Sequence, residues 1–221
     1  RNARVRNYHE PIAVLNYTYD TNDRSQLNVA TSVRFGENGY SAFTWYAGPD
    51  PRPDYYRYLP SYSNGTTYGA WLDEAWRANT DNIRHINWGQ LYDINRNQEE
   101  NATYGPGHRS INMIEERHTD QLDWNFYTQF SHTFRNNSRI NGGVNLRRNR
   151  TEYYSEVKDL LGGDYWVDID KFAERDMGGL NPIPYQNDME YYEKYGHARA
   201  AKKGDKYGYD YYGNVLNARA W

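Results

Sequence analysis

Two pairs of strand-like segments, each joined by a short polar turn, constrain this chain more than any other feature of its sequence. In HTDQLDWNFYTQFSHTF, apolar residues recur at alternate positions, among them Leu122, Trp124 and Phe126. The residues between them are mostly polar, and such alternation indicates a β-strand with two unlike faces. A second alternating segment, INGGVNLRRNRTEYY, follows after only RNNSR. The sequence therefore predicts an antiparallel hairpin over 118–154.

A similar pair of segments lies near the start of the chain. IAVLNYTYD leads through the polar turn TNDRS into QLNVATSVRF. In the second of these segments, Leu27, Val29 and Val33 alternate with polar residues. This pattern predicts another antiparallel hairpin, over 12–35.

Long segments separate and follow these hairpins, at 48–117 and 155–221. Compact soluble domains rarely contain connections beyond about 12–15 residues without structure of their own. Outer-membrane β-barrels combine short turns on one side with long loops on the other, and their strands alternate apolar and polar residues. A soluble antiparallel sheet with one solvated face gives the same alternation. The alternation leaves both architectures open, and the asymmetry of the connections favours the barrel.

The segment 48–117 carries helical patterns of its own. YGAWLDEAWRANTD places Trp71, Leu72 and Ala75 at helical spacing, and DNIRHINWGQLYDINRN predicts a second short helix with Asp81 as its N-cap. We therefore expect short helices folded onto a long loop. In the segment 155–221, WVDIDKFAER predicts a short strand-to-helix element with Trp166 and Phe172 packed inward and Glu174 and Arg175 facing outward or paired.

Composition excludes several classes of protein. The 24 tyrosines and 7 tryptophans argue against disorder, because disordered segments are poor in aromatic residues. The net charge of −3, without a basic stripe, gives no indication of nucleic-acid binding. The chain has no cysteine, which excludes disulfides and Cys-ligated zinc. No apolar run approaches the ~18 residues of a transmembrane helix.

Several phrases of the sequence resemble one family. RHINWGQLYDINRN, FRNNSRINGGVNLRRNRTEYY, KDLLGGDYWVDIDKFAERD and GDKYGYDYYGN occur in this order. Together they resemble the barrel portion of TonB-dependent outer-membrane receptors of the Bacteroidota. Both the SusC/RagA-like type and the type whose plug follows a carboxypeptidase-regulatory-like domain fit this resemblance, which covers about 12–214.

The resemblance implies an all-β fold, in which antiparallel hairpins of a large transmembrane barrel carry long extracellular loops with short helices. Such barrels have 22 strands and a plugged lumen. It also implies location in the cell outer membrane and uptake of a nutrient, with outer-membrane lipid, the plug, the TonB system and a surface lipoprotein as partners. No cofactor is implied. Four strands cannot close a barrel, and open edges are not tolerated in lipid. We therefore expect that 1–221 is part of one barrel domain, with no plug present.

Aromatic residues of the segment 48–117 are the candidate ligand-binding residues. Their flat rings suit sugar or peptide ligands, and tyrosine and tryptophan give a large contact area at low entropic cost. Alternatively, Trp71 and Trp76 form a small core that the loop itself needs. The six candidates are Tyr55, Tyr56, Tyr58, Trp71, Trp76 and Trp88.

Acidic residues around GGDYWVDIDKFAERD give only weak candidates for other chemistry. Asp168 and Asp170 have oxygens suited to calcium, but their spacing does not match an EF-hand loop. A glycan-cleaving enzyme needs two carboxylates held about 5–9.5 Å apart across a sugar, which the sequence does not establish. The six histidines are scattered, without the spacing of a helical zinc site. We predict no catalytic residue, no enzymatic activity and no assigned metal site.

Three functions therefore compete at this point. The favoured one is a portion of a TonB-dependent transporter whose outer loops contact the substrate, which is a glycan, peptide or chelate. The second is a soluble, secreted, tyrosine-rich β domain that binds glycans. The third is a glycan-cleaving enzyme that uses the Asp168 and Asp170 region.

Overall fold

Antiparallel β-structure dominates the computed structural model of this chain, which describes residues 3–169 and 189–207. The strands are β1 (Arg6–His9), β2 (Ile12–Asn22), β3 (Ser25–Trp45), β4 (Asn112–Thr133), β5 (Arg139–Asp159), β6 (Trp166–Val167), β7 (Ala200–Ala201) and β8 (Lys206–Tyr207). The helices are α1 (Thr67–Ala78), α2 (Trp88–Arg96) and α3 (Met189–Tyr195), with 3₁₀ turns at Tyr56–Tyr58 and Thr80–Asn82. Six strands form one sheet in the order β1-β3-β4-β5-β8, in which β2 also pairs with β3, and β6 pairs with β7 separately.

The two hairpins predicted from the alternation are present, with longer strands than expected. β2 and β3 pair antiparallel from Ile12 opposite Arg34 to Asn22 opposite Ser25. β3 continues beyond residue 35 to Trp45, β4 begins before residue 118, and β5 continues beyond residue 154. The additional strand residues lie where apolar and polar positions no longer alternate cleanly, so the pattern did not mark them.

β1 was not predicted from the sequence, and it pairs with β3 beyond the end of β2. Arg6 lies opposite Tyr40 and His9 opposite Glu37, in the same register that β2 follows. Pro11 lies between β1 and β2 and has no N–H to donate to the ladder. β1 and β2 are thus two parts of one interrupted strand along β3.

The described residues divide into two compact units, each formed by separate stretches of the chain. The strand unit comprises residues 4–41 and 116–155. The loop unit comprises residue 3 and residues 42–115, 156–169 and 189–207. β3, β4 and β5 each contribute residues to both units.

The loop unit contains apolar clusters of the kind that stabilise soluble domains. The first cluster is Met113, Val157, Leu160, Trp166, Ala201 and Tyr207; the second is Ala3, Phe43, Leu91, Ile114 and Leu161; the third is Tyr165, Val167 and Ala198. Trp166 is buried in β6, as the sequence predicts. Phe172, Glu174 and Arg175 lie outside the described residues.

The strand unit has the opposite distribution of side chains. Among its described residues, Tyr154 is the one large apolar side chain that is buried, whereas several polar side chains are buried. Large apolar side chains are exposed along β2, β4 and β5. The exposed set includes Leu15, Tyr17 and Tyr19 on β2, Leu122, Trp124 and Phe130 on β4, and Ile140, Val144 and Leu146 on β5.

The long loop contains two α-helices, as predicted, but the second begins later than the sequence indicates. Asp81 does not cap it, so that prediction is wrong: Asp81 has a left-handed φ of 52° inside a 3₁₀ turn. The helix begins after Asn87, whose side chain accepts a hydrogen bond from the N–H of Gln90 at 3.1 Å. Asn79 and Asn82 also have positive φ, which polar Asn and Asp side chains tolerate and a continuing helix does not. No helix in the described ranges has the length and apolar character needed to span a membrane.

Candidate functional site

Four neighbouring tyrosines form an exposed cluster in the loop unit. This tyrosine cluster comprises Tyr55, Tyr56, Tyr58 and Tyr62. The ring of Tyr55 lies 4.9 Å from that of Tyr56 and 5.2 Å from that of Tyr58, both edge to face. Tyr56 and Tyr62 make a third edge-to-face contact at 5.5 Å. Tyr56 and Tyr62 are 53% and 59% exposed, so their rings are accessible to a ligand.

The local sequence explains why these rings meet. Prolines 51, 53 and 60 flank the cluster and restrict the backbone before and after it. The chain turns at Tyr56–Tyr58, where the N–H of Tyr58 donates to the carbonyl of Tyr55 at 2.8 Å. The 3₁₀ turn therefore brings side chains three residues apart onto the same side.

An arginine fixes one ring of the tyrosine cluster. Arg57 Nε donates to the Tyr56 hydroxyl at 2.9 Å, and its guanidinium carbon lies 5.5 Å from the ring centre. This hydrogen bond holds the pKa of Tyr56 below its usual value, whereas desolvation raises the pKa of Tyr55. The cluster thus combines flat apolar rings, hydroxyl groups and one cation. Such a surface can bind a ligand through ring stacking and hydrogen bonds.

A second exposed aromatic pair lies on α1. Tyr68 and Trp71 stack with ring centres 5.7 Å apart and are 60% and 56% exposed. Thr66 caps this helix by accepting a hydrogen bond from the N–H of Gly69 at 2.9 Å. Trp76, on the same helix, is half-buried. Trp71 is therefore accessible, and the core of α1 is formed by smaller residues.

Trp88 lies at the start of α2 and packs inward. Its ring centre is 5.4 Å from that of Phe43, and it contacts the second apolar cluster of the loop unit. The six aromatic residues predicted to bind a ligand thus fall into three environments: the tyrosine cluster, helix α1 and the edge of a core. Their role in ligand binding stays a prediction.

An open polar depression of about 730 Å³ lies along α2. Amide and acidic side chains, together with Ile94 and Gly89, line it. Such side chains suit ligands rich in hydroxyl groups, but the depression contains no group able to act as a nucleophile with an adjacent base. The remaining lining residues are Asn87, Gln90, Asp93, Asn97 and Gln98.

Sequence reasoning did not single out Asn95, which is completely buried on the inner side of α2. Its side-chain amide contacts the backbone at the start of β4, at the residue before it, and just after the end of β5. Its side chain therefore fixes α2 within the loop unit. The sequence did contain one indication of this role, because Asn95 is a polar residue on the buried face of a helix that is predicted to be amphipathic.

A charged network crosses the polar face of the strand unit, which we define as the face that carries Asp123. Arg147 forms a bidentate pair with Asp123 at 2.9 and 3.0 Å. Arg34 donates to Gln121 Oε1 at 3.1 Å and lies 3.6 Å from Asp123. The network links β3, β4 and β5. The sequence placed these residues on the polar faces of their strands but did not predict that they meet.

The weak calcium candidates are only partly described. Asp168 is buried, and its backbone N–H donates to the carbonyl of Arg199 at 2.9 Å. Asp170 lies outside the described residues. Within residues 3–169 and 189–207, no three histidine, aspartate or glutamate side chains are grouped closely enough to hold a metal ion.

Comparison of the chain with protein-family models, with curated proteins and with solved structures finds no significant match.

Proposed function

We propose that the strand unit forms part of the wall of an outer-membrane β-barrel and that the protein is a TonB-dependent transporter. Its substrate is a nutrient of the glycan, peptide or chelate class. The plug, which contacts the TonB system, and the remaining strands belong to other parts of a longer polypeptide. The sequence resemblance supports the transporter class, and the arrangement of side chains on the strands supports the membrane position.

The inverted burial of β4 is the observation that carries this proposal. Asp123 and Ser131 are 6% and 7% exposed, whereas Leu122 and Phe130 are 47% and 45% exposed. In a water-soluble sheet, the hydrophobic effect favours the reverse arrangement. Lipid favours apolar side chains on the outside and leaves polar side chains to a wet interior. The exposed apolar face is therefore suited to contact lipid.

The length of the apolar face fits the thickness of a membrane. The apolar face extends from Leu122 on β4 to Phe134 in the turn that follows β4. Twelve residue steps at about 3.3 Å each correspond to about 40 Å along a strand. At the ~45° tilt of barrel strands this is about 28 Å, close to the ~25 Å apolar band of outer-membrane barrels. The alternating region is thus long enough to cross the outer membrane once.

Residues of the loop unit belong, in this proposal, to the extracellular loops. The tyrosine cluster gives these loops an exposed, fixed aromatic surface, and the pair Tyr68 and Trp71 gives a second. We propose that these surfaces contact the nutrient before uptake. A surface lipoprotein is a further proposed partner that delivers the nutrient to the loops.

Spin labels at single cysteines test the membrane position. The 221 residues contain no cysteine, so consecutive positions of β4 can be labelled one at a time in a cysteine-free version of the native polypeptide. At each position, the collision rate of the spin label with oxygen, which partitions into lipid, is then compared with its collision rate with a water-soluble nickel complex. We expect oxygen access at alternate positions and nickel access at the positions between them. The two sets are Leu122, Trp124 and Phe126, and Gln121, Asn125 and Tyr127.

Equal nickel access on both faces would contradict the barrel wall. That result would favour the soluble, tyrosine-rich β domain that binds glycans.

The transport step needs a separate test, because a barrel wall can belong to other outer-membrane proteins. Cells that lack the gene should lose growth on one class of nutrient, and the intact gene should restore growth only while the TonB system is functional.

A further inference from the structure

Three neighbouring strands change from apolar to charged residues on the exposed face of the strand unit. On each strand, the last exposed large apolar residue of this face, counted away from the short turn, is followed two positions further by a charged residue. On β5 the buried Tyr154 lies beyond that point. Side chains two positions apart in a strand share a face. The pairs are Phe35 and Glu37 on β3, Leu122 and Asp120 on β4, and Leu146 and Arg148 on β5.

Arg148 differs from the arginines on either side of it. Arg147 points to the polar face and pairs with Asp123, and Arg150 pairs with Glu152. Arg148 is exposed and has no hydrogen-bond or ion-pair partner within the described part of the chain. Arg148 is therefore a cation on an apolar face, and no group of residues 3–169 or 189–207 neutralises it.

The position of Arg148 along β5 suits a lipid headgroup. Ile140, at the turn end of the same face, is eight residue steps away. At about 3.3 Å per step this is about 26 Å along the strand, and about 19 Å of membrane depth at a ~45° tilt. The backbone of Arg148 then lies about 6 Å inside the edge of the ~25 Å apolar band on the long-loop side. An arginine side chain can extend over that distance, keeping its stem in apolar surroundings and its guanidinium at the polar boundary.

We propose that Arg148 binds the phosphate group of an anionic lipid in the leaflet on the long-loop side of the membrane. The planar guanidinium suits two parallel hydrogen bonds to phosphate oxygens. The apolar face between Ile140 and Leu146 contacts the acyl chains of the same lipid. This inference rests on the proposed membrane position of the strand unit.

Native mass spectrometry of the full-length polypeptide in detergent tests the inference, with lipid A as the anionic probe and phosphatidylcholine as the zwitterionic one. R148Q should weaken the apparent affinity for lipid A about tenfold, since one charge-assisted bidentate contact is lost. R148K keeps the charge but loses the bidentate geometry, so its affinity should lie between those of the wild type and R148Q. R135Q, a loss of charge in the turn between β4 and β5, should change the affinity less than twofold.

Several results would overturn the inference. R148Q could bind lipid A as the wild type does, or R135Q could lose as much affinity as R148Q, which would indicate non-specific charge attraction. Displacement of lipid A by millimolar inorganic phosphate would indicate a soluble-anion site instead. The spin-label periodicity of β4 shows whether the lipid site alone is wrong or whether the proposed function is wrong as well. If the periodicity persists while R148Q has no effect, only the lipid site is wrong, whereas loss of the periodicity refutes both.

Discussion

Replacing Asn95 with alanine should loosen the loop unit, because this one buried side chain joins separate segments of its backbone. Its Nδ2 lies 2.7, 2.9 and 3.1 Å from the carbonyl oxygens of Asn112, Leu160 and Leu161. Its Oδ1 accepts hydrogen bonds from the N–H groups of Ile111 and Asn112 at 2.8 and 3.1 Å.

The size of the effect follows from the groups that lose their partner. Alanine removes the acceptor of two backbone N–H groups, and each buried donor left without a partner costs about 1–3 kcal/mol. The carbonyl of Leu160 keeps a hydrogen bond from Ser110 Oγ at 2.7 Å. Water that enters the space recovers part of the loss. We therefore expect the free energy of opening the loop unit to fall by about 3 kcal/mol.

Asn95→Asp separates hydrogen bonding from side-chain size. One carboxylate oxygen would keep the two N–H donors, which favour the ionised form, whereas the other would face three carbonyl oxygens in a buried site. We expect burial and this repulsion to exceed the effect of the donors and to raise the pKa in the folded state. A raised folded pKa favours folding below the unfolded value of about 3.9 and disfavours it as the pH rises. The variant should be closest to wild type in acid and least stable at neutral pH.

Amide hydrogen exchange in the full polypeptide measures the opening of this region. Peptides that cover α2 and the start of β4 should exchange faster in both variants, by the factor that corresponds to the lost free energy. Gln90→Ala is the matched control, because Gln90 is exposed on the same helix. It should stay within about 0.5 kcal/mol of wild type. Equal exchange in Asn95→Ala and Gln90→Ala would refute the reasoning.

Further substitutions test other parts of the structure. Phe126→Arg, in the middle of the exposed apolar face, should cost about 2–4 kcal/mol in urea titrations of the vesicle-inserted polypeptide, whereas Asn125→Arg on the polar face should be mild; equal tolerance would refute the assignment of faces. Gly69→Ala should lower the thermal midpoint of the loop unit, because a Cβ there would lie 2.0 Å from a backbone carbonyl oxygen; an unchanged midpoint would mean that the backbone can move aside. Asn87→Ala should cost about 1 kcal/mol in hydrogen exchange of α2 through loss of its N-cap. Asp81→Ala should not change the exchange of α2, and a loss equal to that of Asn87→Ala would restore the capping role first predicted for Asp81.

The strand unit and the loop unit follow opposite rules for the placement of side chains. The loop unit buries Phe43, Met113 and Leu161 in apolar clusters, as a water-soluble domain does. The strand unit exposes Val144 and Leu146 and buries polar groups. The membrane position proposed for the strand unit would require both arrangements in one chain.

The predicted ligand-binding residues look alike in the sequence but lie in different environments in the structure. Tyr56, Trp71 and Trp88 are all aromatic residues of one long loop and look alike in the sequence. In the structure Tyr56 and Trp71 are exposed, whereas Trp88 packs on Phe43. Their exposure depends on residues that are distant in the chain, and no local pattern encodes it.

The sequence by itself determined the two hairpins, the short turns within them and the two faces of their strands. These features arise from local geometry, since successive side chains of a strand point to opposite faces whatever surrounds them. Local rules also predicted that α1 and α2 exist, although they misplaced the start of α2, because residues with left-handed φ can end or delay a helix without a change in hydrophobic pattern.

Only the tertiary structure decided which face of each strand is covered and which polar residues meet. Asn95 contacts the carbonyl of Leu160, 65 positions away, and Asp123 pairs with Arg147 on the next strand. Such contacts depend on strand register and on how the loops fold back, which no short stretch of sequence contains. The alternation of apolar and polar residues was therefore readable from the sequence, whereas the burial of the polar side required the pairing of distant strands.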